Sequence, residues 1–177
     1  TQLGMASLLP RKEKISFKEG SDLILVDNIP ASGVDGRSKI LDANSGCRAT
    51  AIQAEKFMKM NSISDGRSFA KSYDVIYLYS NLIDKTGDDK TSEDRVFEAV
   101  NQELENLIDL IKKIAAVNGN NILITSDHGF IYQHHNIDES DFSKSNFTGT
   151  LWKSNRRFVI GTSMGTFNDY RSSYGET

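Results

Sequence analysis

An acid and an imidazole stand side by side at Asp127 and His128, directly after the apolar run of residues 121–125. The run is short and rich in β-branched residues, which is typical of a buried parallel strand. Ligands of open α/β sheets bind beyond the carboxyl ends of the strands, and both side chain types bind zinc or manganese. The pair therefore indicates a metal site, although a chain turn at Asp127 and simple packing of His128 would also explain these residues.

A second acidic group follows another apolar run. Residues 74–80 contain Val, Ile, Tyr, Leu and Tyr in succession and predict a buried strand. The polar loop after it contains Asp84, Asp88 and Asp89. These carboxylates need no function in a solvated loop, but at the carboxyl end of a strand they are candidate metal ligands.

A long amphipathic helix is predicted between the two runs. It begins at Thr91 or Ser92, has apolar residues at spacings of three and four, and ends near Val117, where Asn118-Gly119 follows. Strand, helix and strand make a βαβ unit with parallel strands and a right-handed crossover. The two acidic groups are therefore expected to share one crevice at the carboxyl edge of the sheet.

The first part of the chain is less regular. Residues 1–9 have helical spacing, and Pro10 ends the helix. Thr1 occupies the N-cap position, where free N–H groups favour anions, although plain capping explains it equally well. Arg37 is either a phosphate contact or a solvated or salt-bridged side chain. We predict a strand at 23–26, a loop at 28–36, a short strand at 38–41, a helix at 48–60 and a polar connection at 61–72.

After His128 the chain becomes polar. His134-His135 is either a further metal ligand or an exposed pair. Trp152 and residues 158–160 predict a return to the core, with Arg156-Arg157 in front of the strand. Residues 162–177 are rich in Gly, Ser and Thr and are expected to be loosely ordered.

Composition limits the class of protein. The 177 residues are 38% hydrophobic and predict one domain or part of one, which we interpret as a single partial α/β domain over 1–177. A net charge of −3 gives no global basic field for nucleic acid, and Cys47, the only cysteine, excludes a disulfide framework. No membrane span or signal pattern is present, and the first residue is not Met. We therefore expect a fragment of a larger cytoplasmic protein.

Several stretches, in the right order, resemble the PglZ domain, a member of the alkaline phosphatase superfamily found in bacterial phage-defence systems of the BREX type. The resemblance covers most of the chain, up to about Gly161. It implies a three-layer α/β/α fold with a mostly parallel sheet and an alkaline phosphatase-like core, here lacking its first strand. The matching stretches are TQLGMASLLP at 1–10, YSNLIDKTGD at 79–88, SEDRVFEAV at 92–100, SDHGFIYQ at 126–133 and RRFVIG at 156–161.

The resemblance also implies roles for single residues. Thr1 falls where the superfamily has its nucleophilic Ser or Thr, and Asp127 and His128 match its Asp-His metal pair. The pattern from Asp84 to Asp88 resembles Asp-x-x-Gly-His, which binds the other metal, with aspartate in place of histidine. The third histidine of the superfamily has no clear counterpart, and its first acidic ligand lies upstream of the nucleophile.

The implied function is that of a metal-dependent phosphoester hydrolase with one or two zinc or manganese ions. A phosphodiester, including nucleic acid, fits phage defence better than a small monoester, and the other proteins of the system are the expected partners. The alternative is a catalytically degenerate scaffolding module of a multi-protein defence complex, which Asp88 and the missing histidine favour. A nucleotide-binding domain is disfavoured because no Gly-rich loop follows a predicted strand.

Overall fold

The structure, a computed structural model, describes residues 2–83, 96–129, 148–154 and 159–165. It is a mixed α/β protein that divides into two compact units, residues 1–16 with 24–127 and residues 17–23 with 128–177. The helices are α1 (Gln2–Ser7), α2 (Gly33–Asn44), α3 (Ala54–Met58), α4 (Arg67–Ser72) and α5 (Val96–Ala116); the strands are β1 (Ser16–Phe17), β2 (Ile24–Val26), β3 (Ile29–Pro30), β4 (Ala49–Gln53), β5 (Val75–Tyr79), β6 (Thr150–Ser154) and β7 (Val159–Thr162).

The first unit contains a parallel pair of strands, β4 and β5. Their register places Ala49 opposite Val75 and Gln53 opposite Tyr79, so both strands end at the same edge. Because successive side chains of a strand point to opposite faces, β5 presents Ile76 and Leu78 to one side and its tyrosines to the other. The aliphatic side packs against a core formed by residues of β4, α3, α5 and the turn after α5: Ile52, Ala54, Phe57, Leu110 and Val117.

Helix α5 confirms the predicted helix, but its buried face differs from the predicted apolar stripe. Leu110, outside the stripe, is buried at 8% exposure, while Leu104 and Ile108, within the stripe, are 56% and 54% exposed. The predicted end is confirmed as well. Asn118 takes a left-handed φ of 69°, and the N–H of Gly119 donates to the carbonyl of Ile114 at 2.8 Å. This is the usual way for a helix to satisfy its last carbonyl groups.

The predicted helix at 48–60 is wrong in its first half, which forms β4. Residues 49–52 are all buried, and Gln53 provides the extended N-cap from which α3 begins at Ala54. The run of small and β-branched residues fits both a helix and a fully buried parallel strand, since periodicity does not separate the two over so few residues. Pairing with β5 along the whole of β4 favours the strand.

The predicted loop at 28–36 and strand at 38–41 are also wrong, because β3 and helix α2 occupy this region. Ile40 and Leu41 are buried on the helix. A Cβ at Gly36 would lie 2.4 Å from the carbonyl oxygen of Pro30. The glycine therefore allows α2 to pack closely on β3. In the sequence, a glycine at such a close contact cannot be distinguished from a glycine in a loop.

The most important correction concerns residues 121–125, which do not form the predicted buried strand. Ile122, Leu123 and Ile124 are 41%, 89% and 57% exposed. A strand exists only when a neighbouring strand accepts its backbone hydrogen bonds, and among the described residues none pairs with this run. The βαβ unit expected across α5 is therefore absent from the described part, and the parallel partner of β5 is β4.

The remaining described elements agree with the sequence more closely. Helix α1 and strand β2 lie within the predicted segments, and β2 pairs antiparallel with β3. The polar connection is more helical than predicted, because a π-helical turn at Ser62–Gly66 leads directly into α4. In the second unit, β6 and β7 form an antiparallel pair with a register shift between Leu151 and Lys153. The predicted return to the core near Trp152 is not seen in β6, where Trp152 is half-buried and its neighbours are exposed.

Candidate functional site

The described residues contain part of the predicted site. Asp127 and His128 are described, whereas Thr1, Asp84 and Asp88 lie outside the described residues, as do His134-His135 and Arg156-Arg157. Over residues 2–83, 96–129, 148–154 and 159–165, no group of three or more His, Cys, Asp or Glu side chains is close enough to hold a metal ion. The predicted metal ligands thus stay predictions. Distances and contacts can be given for Asp127 and His128, the two of them that the structure describes.

Asp127 lies against helix α1. A Cβ built on Gly4 would be 3.0 Å from Cβ, Oδ2 and the carbonyl oxygen of Asp127. A side chain at Gly4 would therefore make Asp127 shift by a few tenths of an ångström, since this separation is tighter than nearly all real Cβ contacts. Gly4 was not among the predicted site residues, although a lone glycine inside a helical pattern often indicates close packing.

Helix α1 is also attached to the parallel strands. The hydroxyl of Tyr77, on β5, donates to the carbonyl oxygen of Leu8 at 3.1 Å, just after the helix ends. Ala6 and Leu9 are buried at 0% and 3% exposure. Two contacts in the first unit therefore position Asp127. Asp127 lies close to Gly4 of α1, and Tyr77 connects the end of α1 to β5. The predicted βαβ crossover plays no part in this arrangement.

His128 lies within hydrogen-bond distance of a backbone carbonyl. Its Nδ1 is 2.9 Å from the carbonyl oxygen of Gly129. A carbonyl only accepts hydrogen bonds, so Nδ1 is the donor in this contact. A carbonyl acceptor on one ring nitrogen is the common arrangement for histidines that bind a metal through the other nitrogen. The donor types and this contact fit a zinc or manganese ion.

Arg37 of α2 meets the last residue of β5. Its guanidinium carbon lies 4.7 Å from the centre of the Tyr79 ring, and the Tyr77 ring is 6.3 Å from that of Tyr79. Burial raises the pKa of Tyr79 above its usual value, and the positive charge of Arg37 opposes the shift only in part. Arg37 is half-buried and forms no ion pair within the described ranges, so the phosphate contact and the solvated side chain both stay predictions.

A shallow polar pocket lies elsewhere on the first unit. Ser38, Thr50 and Tyr73 are among its lining residues, and the hydroxyls of Ser38 and Thr50 are 2.9 Å apart. It opens near the amino ends of β4 and β5, whereas Tyr79 ends β5 on the opposite edge. Because α/β sheets bind ligands at the carboxyl edge, we do not assign the site to this pocket.

Comparison with protein families agrees with this architecture. Residues 1–171 match the family model described as the BREX system PglZ alkaline phosphatase-like domain. The match covers nearly the whole chain, and the class of protein is therefore alkaline phosphatase-like. The chain belongs to the PglZ family, which confirms the resemblance seen in the sequence.

Two curated relatives support the assignment. The chain is 33% identical over 164 residues to the alkaline phosphatase-like protein BrxZ of Escherichia coli O9:H4 (strain HS), which covers 91% of the chain and 18% of the relative. It is 38% identical over 173 residues to the alkaline phosphatase-like protein PglZ of Bacillus cereus (strain H3081.97), which covers 95% of the chain and 20% of the relative. The chain thus spans about a fifth of their length. No solved structure gives a significant match.

The helices in the described ranges give no sign of a membrane span. None of them combines the length and the apolar composition that crossing a bilayer requires. The longest described helix, α5, has 21 residues and is amphipathic, with charged residues such as Glu103 and Lys112 along it.

Proposed function

We propose that this chain forms the core of a metal-dependent phosphoester hydrolase, in which Thr1 is the nucleophile. The observation that supports this function best is the contact between Asp127 and Gly4. Gly4 is three positions after Thr1 in the chain, so the Asp127 carboxylate lies beside the same short segment as the proposed nucleophile. This separation in the sequence is compatible with a shared phosphoryl site. Membership of an alkaline phosphatase-like family supports the reaction class.

Each predicted residue has a distinct role in this proposal. Asp127 and His128 would hold one divalent ion, zinc or manganese, through the carboxylate and the imidazole, and Asp84 and Asp88 would hold a second. Such ions would supply positive charge for the phosphoryl oxygens and lower the pKa of the attacking hydroxyl. The Thr1 hydroxyl would give its proton to solvent and its oxygen would bond to phosphorus, while the bond from phosphorus to the ester oxygen breaks and the leaving alcohol takes a proton. Water would then bond to phosphorus as the bond to threonine breaks, and the threonine oxygen would regain a proton.

The proposed substrate is a phosphodiester, with nucleic acid included, and the proposed partners are the other proteins of the phage-defence system. Both rest on the BREX description of the family, since no described residue selects the alcohol part of the substrate. A three-layer α/β/α arrangement is part of the proposal. It is supported by β5, whose Tyr77 and Tyr79 contact α1 and α2 while Ile76 and Leu78 pack against the core with α3 and α5.

Hydrolysis of an aryl phosphodiester by the full-length protein tests the proposal. We expect turnover that requires added zinc or manganese and falls at least a hundredfold in Thr1→Ala and His128→Ala. Metal content, measured on the purified proteins, should fall in Asp127→Asn and stay unchanged in Thr1→Ala. Asp109→Asn is the matched control, because this exposed aspartate of α5 pairs only with Lys112 among described residues.

Two results would overturn the proposal. Turnover that persists in Thr1→Ala and His128→Ala would come from another site or from a contaminant. A wild type that neither binds a divalent ion nor hydrolyses the ester would be consistent with the scaffolding alternative. In that case the variants should still assemble with the partner proteins as the wild type does.

A further inference from the structure

Among the described residues, two buried polar atoms near the end of β5 lack a hydrogen bond of ordinary geometry. They are Nε of Arg37 and the hydroxyl oxygen of Tyr79, and both are shielded from solvent. The two side chains are polar neighbours, and the approach of Arg37 lowers the pKa of Tyr79 less than burial raises it. Buried polar groups in native proteins almost always have a partner, and an exception calls for a bound water, an ion or a functional group. The two atoms belong to one contact, because the Arg37 guanidinium lies over the Tyr79 ring.

The chemistry of the pair defines what is missing. The guanidinium is always protonated and can only donate, so its shielded Nε–H calls for an acceptor, and an anion also offsets its positive charge. Burial raises the pKa of Tyr79, which keeps its hydroxyl protonated and able to donate at neutral pH. A group that accepts from both side chains and carries negative charge satisfies both requirements, and phosphoryl oxygens have these properties.

Arg48 shows the opposite arrangement in the same sheet. It precedes β4, at the amino edge, and its guanidinium forms two hydrogen bonds with Asp74, at 2.7 and 3.1 Å. The protein itself supplies the counter-charge of that arginine. Arg37 lacks such a partner among the described residues and contacts Tyr79 at the carboxyl edge, where α/β proteins bind ligands.

We infer that Arg37 and Tyr79 form an anion subsite at the carboxyl end of β5, which takes a phosphoryl oxygen of the substrate. The identity of the anion rests on the proposed function, whereas the subsite itself rests on the two unpartnered atoms. Tyr77 connects this edge to α1, since it contacts the Tyr79 ring and donates to Leu8. The subsite therefore lies on the same unit as the contact between Gly4 and Asp127.

Binding of inorganic phosphate to the full-length protein tests the subsite directly. Calorimetric titration is done with EDTA and again with zinc, so that phosphate bound through a metal is recognised. We expect Arg37→Met to weaken phosphate binding about tenfold to a hundredfold in both conditions, because a charge-assisted bond is lost. Tyr79→Phe removes one hydroxyl and should cause a smaller loss. Arg48→Met, the control at the other edge, should bind as the wild type does.

Thermal unfolding without phosphate separates binding from a structural role. Because the two buried atoms have no protein hydrogen bond of ordinary geometry to lose, Tyr79→Phe should unfold at or above the temperature of the wild type. Among the described contacts, Arg37→Met loses only the cation–π contact with Tyr79 and should unfold close to that temperature. Arg37→Lys, which keeps the charge but loses the planar fork, should retain the fold and recover only part of the phosphate affinity. Equal phosphate affinity in wild type and Arg37→Met, or lower unfolding temperatures with unchanged affinity, would overturn the inference.

The two proposals fail in different ways. Phosphate binding that depends on Arg37 in a protein without turnover would support the subsite and reject the hydrolase. Metal-dependent turnover with an unchanged KM in Arg37→Met would reject the subsite and support the hydrolase. Failure of the wild type to bind phosphate in either condition would reject the subsite, and the unpartnered atoms would then be assigned to a buried water.

Discussion

Gly4 and Asp127 show how one absent side chain can set the position of a carboxylate. The Cβ of any other residue at position 4 would lie 3.0 Å from three atoms of Asp127, two of which belong to its carbonyl and Cβ. Those atoms move only with the backbone of Asp127, so a side chain at position 4 would require a small shift of the main chain as well as of the carboxylate. The spacing of a motif cannot show such a constraint, because the two residues are far apart in the chain.

The carboxylate of Asp27 accepts hydrogen bonds from backbone N–H groups that no backbone carbonyl of the described residues accepts. It accepts hydrogen bonds from the N–H groups of Lys12 and Glu13, at 2.9 and 2.8 Å, and from the amide of Asn44 at 2.8 Å. Asp27 itself has a left-handed φ of 48°. The carboxylate therefore joins the connection after α1 to the end of α2.

These hydrogen bonds predict a pH-dependent stability. The N–H of Lys12, followed by those of Glu13 and Asn44, lowers the pKa of Asp27 below its usual 3.8. A lowered pKa in the folded state stabilises the protein above the unfolded pKa, and this contribution disappears as pH falls through the folded pKa.

We therefore expect Asp27→Asn to lower the urea midpoint at pH 7, with a difference from wild type that shrinks below pH 3.8. Urea unfolding between pH 2 and 7 provides the measurement, with Asp42→Asn, an exposed aspartate of α2, as control. A difference that is the same at every pH would show that shape, and not charge, is responsible.

Helix α5 shows how an amphipathic pattern finds its core. Leu107, Leu110 and Ile114 belong to or pack on the cluster that also contains Ile52 and Phe57. The hydrophobic effect selects the face of the helix, because burying an aliphatic side chain stabilises the fold by about 1.5–3 kcal/mol. The sequence predicted a stripe that includes Leu107 and Ile114, but the buried face also contains Leu110, which lies outside that stripe.

Two leucines of α5 provide a matched test of that face. Leu110→Ala should lower the free energy of unfolding by about 2–5 kcal/mol, since Leu110 is 8% exposed and leaves a cavity. Leu104→Ala should change it by no more than about 0.5 kcal/mol, because this side chain is 56% exposed. Urea unfolding measures both. Similar losses for the two variants would mean that α5 is rotated about its axis relative to the structure.

The first unit contains a well-packed core and also an apolar segment that is exposed. Residues 121–125 follow α5 and lead to Asp127, yet Leu123 is 89% exposed. The chain spans about a fifth of its curated relatives, and within the described residues this run has no strand neighbour. Apolar composition predicts that a segment favours burial, but burial also requires a surface on which the segment can pack.

The exposure of this run gives a prediction for the 177-residue chain. Leu123→Ala should change the free energy of unfolding by no more than about 0.5 kcal/mol. Ile52→Ala, in the strand that is buried, should cost about 2–5 kcal/mol. Calorimetric or urea unfolding of both variants measures these two changes in the free energy of unfolding. A loss at Leu123 equal to that at Ile52 would support the buried strand that the sequence predicts.

Local patterns in the sequence were enough to identify the family and several elements. The motifs identified the PglZ family, the 3.6-residue period predicted α5, and the apolar run with β-branched and aromatic residues predicted β5. Asn118-Gly119 marked the end of α5 because few residues tolerate a positive φ. These features depend on residues near each other in the chain, which is why periodicity and end signals reveal them.

Long-range packing decided the rest of the structure. Residues 49–53 formed β4 instead of a helix because β5 was available to pair with them, and Gly36 belonged to a helix because Pro30 lay against it. The contact of Asp127 with Gly4 and the position of Arg37 over Tyr79 joined distant parts of the chain. Such contacts depend on which surfaces meet after folding, and a single sequence carries no local signal for that.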